Sequence, residues 1–329
     1  MALCLVSCAP PPRPVVLPPV PPPIPVPVPI EAPRFPAEGT IPAGAAGELY
    51  YHVVGDGPDT VVVPLAFYVE KALGALAQSR TVVFYDPRRR GRSTSYVDTT
   101  LSTFANDVQD VERIRQAVGA SKVSLIGFSY FAAVVAEYAA TFPERVARVV
   151  MLSPIEPNDS LARRADPRAA MARLDTTQAR HLVRLRAAGK DTSDVPGYCR
   201  VYWSVNAPAY VGDPGTASRL DSEFCSMPNE GVRAFASHVG RVLGSLESRR
   251  DFGPVAGRVG ATVLVLNGDR DLIMNPEGAR AWASALPKAR LLTLRGGGHM
   301  LYLDDPGAVV RALSVFLDGA WPAGAEVVR

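Results

Sequence analysis

The chain has 329 residues, of which 47% are hydrophobic and 20% charged, and its formal net charge is +3 at neutral pH. This length can hold one large domain or two modest ones with a buried core, and so small a net charge argues against a nucleic-acid partner. No apolar stretch approaches the ~20 residues that a membrane-spanning helix needs.

The N-terminal region is dominated by proline: 14 of the 31 prolines lie between Pro10 and Pro36. Proline lacks the backbone N–H that helices and sheets use, so residues 9–46 are predicted to form an extended polyproline II linker. A semi-rigid spacer is the favoured interpretation. A binding site for proline-recognising domains is the alternative.

The leader, residues 1–8, ends in Leu-Val-Ser-Cys, which resembles the lipobox of bacterial lipoproteins. This resemblance implies that Cys8 carries a lipid, so that the protein is exported and anchored to a membrane facing the periplasm or the cell exterior. The linker would then hold the folded body away from the bilayer. A disordered tail on a cytoplasmic protein is the alternative.

From residue 47 onward the sequence predicts alternating strands and helices. Apolar, β-branched runs predict strands, and apolar residues spaced by three or four predict amphipathic helices. The predicted strands are 49–54, 60–63, 81–85, 122–126, 146–152, 261–266 and 289–294. The predicted helices are 69–79, 104–118, 130–142, 277–285 and a final helix capped by Asp305. Short connections and continuous apolar strands favour a parallel sheet covered on both faces.

This alternation stops between residues 155 and 255, where the sequence is polar, helical in parts and rich in proline and glycine. We therefore expect an α/β core formed by residues 47–154 and 256–329, with residues 155–255 inserted as a mainly helical cap. The basic run at residues 88–92 is interpreted as a solvated turn, with a phosphate-binding patch as the alternative.

Cys199 and Cys225 are the only cysteines of the predicted body. In an exported protein such a pair predicts one disulfide, whereas two buried free thiols are the alternative for a cytosolic enzyme. Neither cysteine has the CxxC spacing of a metal site, so no metal is predicted. No cofactor is implied.

Three residues that could act together each follow a predicted strand. Ser129, Asp271 and His299 come after the strands ending at residues 126, 266 and 294, and ligands bind at the carboxyl ends of strands in such sheets. A serine, a histidine that takes its proton and a carboxylate that orients the histidine form a nucleophilic triad. Singly, Ser129 and Asp271 could be helix caps and His299 a surface loop residue.

The motifs around these residues resemble the α/β-hydrolase superfamily, which uses the order Ser, Asp, His. Residues 127–130 match the first four places of its Gly-x-Ser-x-Gly motif. Residues 86–93 resemble a segment of the proline-iminopeptidase-like branch. The resemblance implies the α/β-hydrolase fold, favours Asp271 over Asp269 as the acid, and implies backbone oxyanion donors at Tyr130 and Ala66.

Two positions depart from the family pattern. Phe131 stands where the motif ends in glycine, and residues 64–68 replace the His-Gly pair that precedes the second oxyanion donor. We therefore expect an unusual substrate range.

The predicted function is a serine hydrolase that cleaves an ester, amide or peptide bond of a small-molecule or peptide substrate through an acyl-enzyme. Residues 199–203 and 224–230 resemble cap segments of proline-iminopeptidase-like hydrolases, so an aminopeptidase is one candidate. Glu230 would then hold the substrate's free amine, although a solvated glutamate at a helix start is the plainer interpretation. The alternatives are a carboxylesterase and a lipid-anchored binding protein that lost catalysis.

Overall fold

A computed structural model of the chain describes residues 37–94, 98–162, 167–246 and 251–328. These residues form an eight-stranded sheet with the order β1-β2-β4-β3-β5-β6-β7-β8. The leader and Cys8 lie outside the described residues. The strands are β1 Glu38–Pro42, β2 Glu48–Val54, β3 Thr60–Pro64, β4 Thr81–Tyr85, β5 Val123–Phe128, β6 Val146–Leu152, β7 Thr262–Gly268 and β8 Ala289–Leu294.

The sheet is parallel except at one edge. Strand β1 pairs antiparallel with β2, and β2 pairs antiparallel with β4, whereas every pair from β4 to β8 is parallel. All six residues of the central strand β5 are buried, as in a strand that is covered on both faces. The predicted α/β-hydrolase architecture is therefore confirmed.

Helices follow most of the strands. Those outside the insertion are α1 Ala66–Leu73, α2 Phe104–Ala117, α3 Tyr130–Thr141, α11 Pro276–Ala285, α12 Leu301–Asp304 and α13 Pro306–Leu317. The described residues between β6 and β7 form α4 Asp159–Ala162, α5 Pro167–Met171, α6 Thr176–Ala187, α7 Lys190–Ser193, α8 Val195–Tyr210, α9 Val232–Gly244 and α10 Gly253–Ala256. Helix α13 begins as predicted, because the Asp305 carboxylate accepts a hydrogen bond from the Ala308 amide and proline occupies the first helical position.

Strand β1 lies inside the segment predicted to be linker, so the folded body begins before residue 47. The strand is short and half-exposed, and it carries its only proline, Pro42, at its last position on the edge of the sheet. An edge strand tolerates proline because one side of its backbone needs no partner. The prediction relied on proline density, and it therefore put the end of the linker too far along the chain.

The inserted segment is tied together by the predicted disulfide, which joins Cys199 in α8 to Cys225. Both cysteines are buried. Within the part of the chain that the structure describes, no helix combines the length and apolar character needed to cross a bilayer.

Candidate active site

Ser129 occupies the sharp turn between β5 and α3. Its φ of 54° and ψ of −119° lie in a region that residues with a side chain rarely adopt. The turn is tight because strand and helix approach closely: a Cβ on Gly127 would lie 2.3 Å from the Phe131 carbonyl oxygen. Such a turn holds the serine hydroxyl clear of its own backbone.

His299 lies in the loop after β8, directly behind three consecutive glycines, and its side chain extends toward Ser129. Its Nε2 lies 3.0 Å from the Ser129 Oγ, and its Nδ1 lies 2.9 Å from the Asp271 Oδ2. The imidazole is buried, with the rings of Phe128 and Tyr210 centred 5.0 and 5.9 Å away. The three side chains that the sequence singled out therefore meet in one hydrogen-bonded chain.

The Asp271 carboxylate, at the end of this hydrogen-bonded chain, is held in place by the turn that follows β7. The Asp271 Oδ1 accepts hydrogen bonds from the Ile273 and Met274 amides, both at 2.9 Å, which leaves Oδ2 for the imidazole. Asp269 has a different partner, because its Oδ1 accepts from the Gly296 amide. The structure thus places Asp271, and not Asp269, against His299.

The two residues predicted as oxyanion donors are each the first residue of a helix. Tyr130 begins α3 and Ala66 begins α1, and first-turn amides have no carbonyl partner within their own helix. Leu65, which precedes Ala66, has a φ of 64° and therefore adopts the left-handed conformation. It belongs to the segment that replaces the family's His-Gly pair. Ala66 lines a neighbouring cavity, whereas Leu65 and Tyr130 line the cavity that contains Ser129.

The Ser129 hydroxyl and the His299 imidazole open into a cavity of about 270 Å³. Its walls come from both the core and the insertion, and most of them are aromatic or aliphatic. The apolar and aromatic lining residues are Leu65, Tyr68, Phe128, Tyr130, Phe131, Ile155, Trp203, Tyr210, Phe235, Val239, Val242, Leu243, Ile273, Met274 and Met300. Such walls suit a substrate that is itself largely apolar.

The sequence profile of the α/β-hydrolase fold matches residues 66–306, which is most of the chain. The chain belongs to the α/β-hydrolase family. Membership makes it a hydrolase, in agreement with the enzyme class predicted from the sequence.

Individual relatives of this α/β hydrolase are distant or match only in part. A stretch of 82 residues is 37% identical to a proline iminopeptidase of Heyndrickxia coagulans, but it spans only 25% of this chain and 28% of that protein. The AB hydrolase superfamily protein YclE of Bacillus subtilis (strain 168) is 22% identical over 82% of this chain and 95% of its own. The crystal structure of the esterase RhEst1 from Rhodococcus sp. ECU1013 matches with a TM-score of 0.64 at 20% identity, covering 86% of this chain and 99% of that one.

Glu230 of this α/β hydrolase is not a solvated glutamate, so the plainer interpretation made from the sequence is wrong. Its carboxylate is buried and accepts two hydrogen bonds from Arg90, at 2.7 and 3.0 Å, and a third from the Gly91 amide at 2.9 Å. Glu230 also does not line the cavity that contains Ser129. The partner of Arg90 lies 140 residues away in sequence, so no local pattern could reveal it.

The basic run at residues 88–92 is likewise not a solvated turn. Arg88 and Arg90 are 2% and 3% exposed. Arg88 donates two hydrogen bonds to the Asp110 carboxylate, at 2.7 and 2.6 Å, and Arg90 pairs with Glu230. These arginines join the segment after β4 to helix α2 and to the insertion.

A buried carboxyl group lies behind the proposed oxyanion donor. The Tyr130 hydroxyl donates a hydrogen bond of 2.8 Å to the Asp107 Oδ2, and Asp107 is fully buried. Burial, together with the negative charge of Asp110, raises the pKa of Asp107 to about 8. Sequence reasoning missed this group because an aspartate on helix α2 looks like an exposed helix residue.

Asp304 of this α/β hydrolase connects the insertion to the loop that carries the histidine. Its carboxylate accepts hydrogen bonds from the Gly212 and Asp213 amides on the insertion and from the Gly298 amide beside His299. The Met300 amide adds a further bond, of 2.7 Å, to the Tyr210 carbonyl oxygen. The end of α8 and the histidine loop are thereby held as one unit.

Proposed function

We propose that this enzyme is a serine esterase that works through an acyl-enzyme, with Ser129 as nucleophile, His299 as base and Asp271 as the orienting acid. The observation that carries the proposal is the Ser129–His299–Asp271 hydrogen-bonded chain, which opens into a largely apolar cavity. Ser129 attacks the ester carbonyl carbon while His299 Nε2 takes the hydroxyl proton. Asp271 accepts from Nδ1–H and stabilises the imidazolium.

The amides of Tyr130 and Ala66 are the proposed donors to the oxyanion of the tetrahedral intermediate. His299 returns its proton to the leaving alcohol as the ester C–O bond breaks, which leaves the acyl group on Ser129. A water then attacks the acyl carbon and gives one proton to His299, and His299 passes a proton to the Ser129 Oγ as the acyl C–O bond breaks, which releases the carboxylic acid and regenerates the free serine. Neither a metal nor a cofactor takes part in the scheme.

A proline-iminopeptidase-like aminopeptidase is the second candidate, supported by the partial match to the Heyndrickxia coagulans enzyme. An aminopeptidase needs a counter-charge for the substrate's ammonium group. Among the described residues that line the cavity there is no aspartate or glutamate, and Glu230 is occupied by Arg90. These observations favour an ester over a peptide with a free N-terminus.

Labelling with a fluorophosphonate tests the nucleophile. We expect the wild-type protein to form one adduct on Ser129, and Ser129→Ala to form none and to lose at least about 10³-fold in kcat on 4-nitrophenyl butyrate. Full turnover by Ser129→Ala would overturn the mechanism. Absence of labelling in the folded wild type would instead favour a binding protein that lost catalysis.

The substrate class is tested with proline 4-nitroanilide, its N-acetylated form and 4-nitrophenyl butyrate. An esterase hydrolyses the butyrate and discriminates little between the two anilides. Strong preference for the proline anilide with the free amine would support the aminopeptidase.

We also propose that the protein is exported and anchored by a lipid on Cys8. The Leu-Val-Ser-Cys sequence and the buried disulfide support this proposal, because disulfides persist in oxidising compartments. In a bacterial host that processes lipoproteins, Cys8→Ser should abolish palmitate labelling and release the protein from membranes, whereas Cys4→Ser should not. Equal labelling of both variants would contradict the assignment.

A further inference from the structure

Two polar side chains in the wall of the cavity, Arg90 and His238, have no part in the proposed mechanism, and Arg90 is already paired with Glu230. His238, on helix α9, is 1% exposed and lines the same cavity as Ser129 and His299. Neither of its ring nitrogens has a hydrogen-bond partner among the described residues. A buried polar group without a partner is destabilising, so its presence in an apolar wall calls for a physical reason.

The position of His238 on its helix shows that the imidazole belongs to the cavity wall. Phe235, Val239 and Val242 line the same cavity and lie within four residues of His238 along α9. This spacing is that of one helix face. His238 therefore lies on an otherwise hydrophobic face of α9 that borders the cavity containing Ser129.

The imidazole is neutral, which determines what it can bind. Burial lowers the pKa of His238 well below its ordinary value, and the positive charges of Arg90, Arg89 and Arg88 lower it further. A neutral imidazole offers one N–H donor and one acceptor nitrogen. It therefore binds an uncharged group, and a hydroxyl suits it because a hydroxyl both donates and accepts.

We propose that His238 forms a polar subsite that selects esters carrying a hydroxyl group away from the scissile bond. This inference rests on the proposed esterase function. The preferred substrate is an uncharged and mainly apolar ester whose hydroxyl pairs with the His238 ring. A plain aliphatic ester leaves the imidazole unpaired in the enzyme–substrate complex, and sites built to pair a polar group discriminate strongly against analogues that lack it.

The test uses matched esters, with acid release followed by titration at constant pH. Ethyl hexanoate is compared with its 3-hydroxy and 6-hydroxy forms, and hexyl acetate with 6-hydroxyhexyl acetate, so that both sides of the scissile bond are sampled. For at least one pair we expect the wild type to give a kcat/KM at least about 10-fold higher for the hydroxylated ester. His238→Phe should abolish that preference, and His238→Gln should restore part of it because glutamine also donates and accepts.

His181→Phe is the matched control, because His181 is an exposed histidine on α6 and does not line the cavity. It should leave the hydroxyl preference at the wild-type ratio. No preference in any pair for the wild type, or an undiminished preference in His238→Phe, would overturn the subsite. If His238→Phe does not fold, as judged by its melting transition, the wild-type ratios and His238→Gln decide.

Failure of the subsite is distinguishable from failure of the esterase mechanism. In the first case the wild type hydrolyses every ester and is labelled at Ser129 by the fluorophosphonate, but shows no hydroxyl preference. In the second case neither labelling nor ester hydrolysis occurs, and the subsite proposal falls with the function on which it rests.

Discussion

Asp269 and Asp271 follow the same strand, yet their carboxylates have different roles in the structure. Asp271 accepts from His299 Nδ1, whereas Asp269 accepts from the Gly296 amide at 2.6 Å. Asp271→Asn should lower kcat by about 10⁴-fold, because an amide at this position favours the wrong histidine tautomer. The measurement is the steady-state hydrolysis of 4-nitrophenyl butyrate.

Asp269→Asn is the control for this substitution. Asparagine keeps an oxygen that can accept from the Gly296 amide, so kcat should fall by less than about 10-fold. If kcat fell further in Asp269→Asn than in Asp271→Asn, Asp269 and not Asp271 would be the acid.

Asp107 makes the stability of the protein depend on pH. The pKa of its carboxyl is raised to about 8 in the folded protein, against about 3.9 in an unfolded chain. Between these values the unfolded state releases a proton that the folded state keeps, so the contribution of this group to stability falls as the pH rises from about 4 to 8. The amide introduced by Asp107→Asn has no proton to release in this range, and its oxygen can still accept from the Tyr130 hydroxyl.

The melting temperature of Asp107→Asn relative to the wild type should therefore increase steadily between about pH 5 and pH 8, and then level off. Thermal unfolding of both proteins across this range and up to about pH 9 measures the difference. A difference that stays constant or decreases with pH would show that Asp107 is not protonated in the folded protein.

At the scale of single elements, the histidine loop depends on glycine for close packing. A Cβ on Gly298 would lie 2.3 Å from the Val211 carbonyl carbon, so Gly298→Ala must displace either the insertion or His299. We expect it to reduce kcat/KM by at least about 10²-fold, since a displacement of about 1 Å in a catalytic group can have that effect. Ester hydrolysis and the rate of fluorophosphonate labelling report the change.

Gly240, on helix α9, provides the comparison. A Cβ at this position meets nothing within 4 Å, so Gly240→Ala should stabilise the protein by about 0.5–1 kcal/mol through helix propensity and leave catalysis unaltered. Equal activity losses in the two variants would contradict the packing explanation.

The elements that the sequence predicted correctly are those with local signals. Continuous apolar strands, helix caps and the residues around Ser129 are encoded within a few positions, so the core and the three converging side chains could be anticipated. Strand β1 was not predicted because it is short and follows a proline-rich segment. Glu230 was misjudged, and the place of His238 in the cavity wall was not anticipated, because the surroundings of both residues come from distant parts of the chain, which local patterns do not describe.

At the scale of the whole molecule, the buried Arg90–Glu230 pair joins the core to the insertion. Removing one partner of such a pair leaves an uncompensated charge in a buried site. Glu230→Gln should therefore lower the free energy of unfolding by about 3–5 kcal/mol. Urea unfolding followed by tryptophan fluorescence measures the loss.

Glu223→Gln, in the same segment of the insertion, changes an exposed glutamate and should alter stability by less than about 0.5 kcal/mol. Similar stabilities for Glu230→Gln and Glu223→Gln would mean that the Arg90–Glu230 pair contributes nothing to holding the insertion in place.

The contacts of Asp304 constrain how the enzyme admits a substrate. Its carboxylate binds amides on the insertion and beside His299 at once, so lifting the insertion at this end would draw the imidazole away from the serine. Any opening that preserves the catalytic geometry must therefore pivot about Asp304.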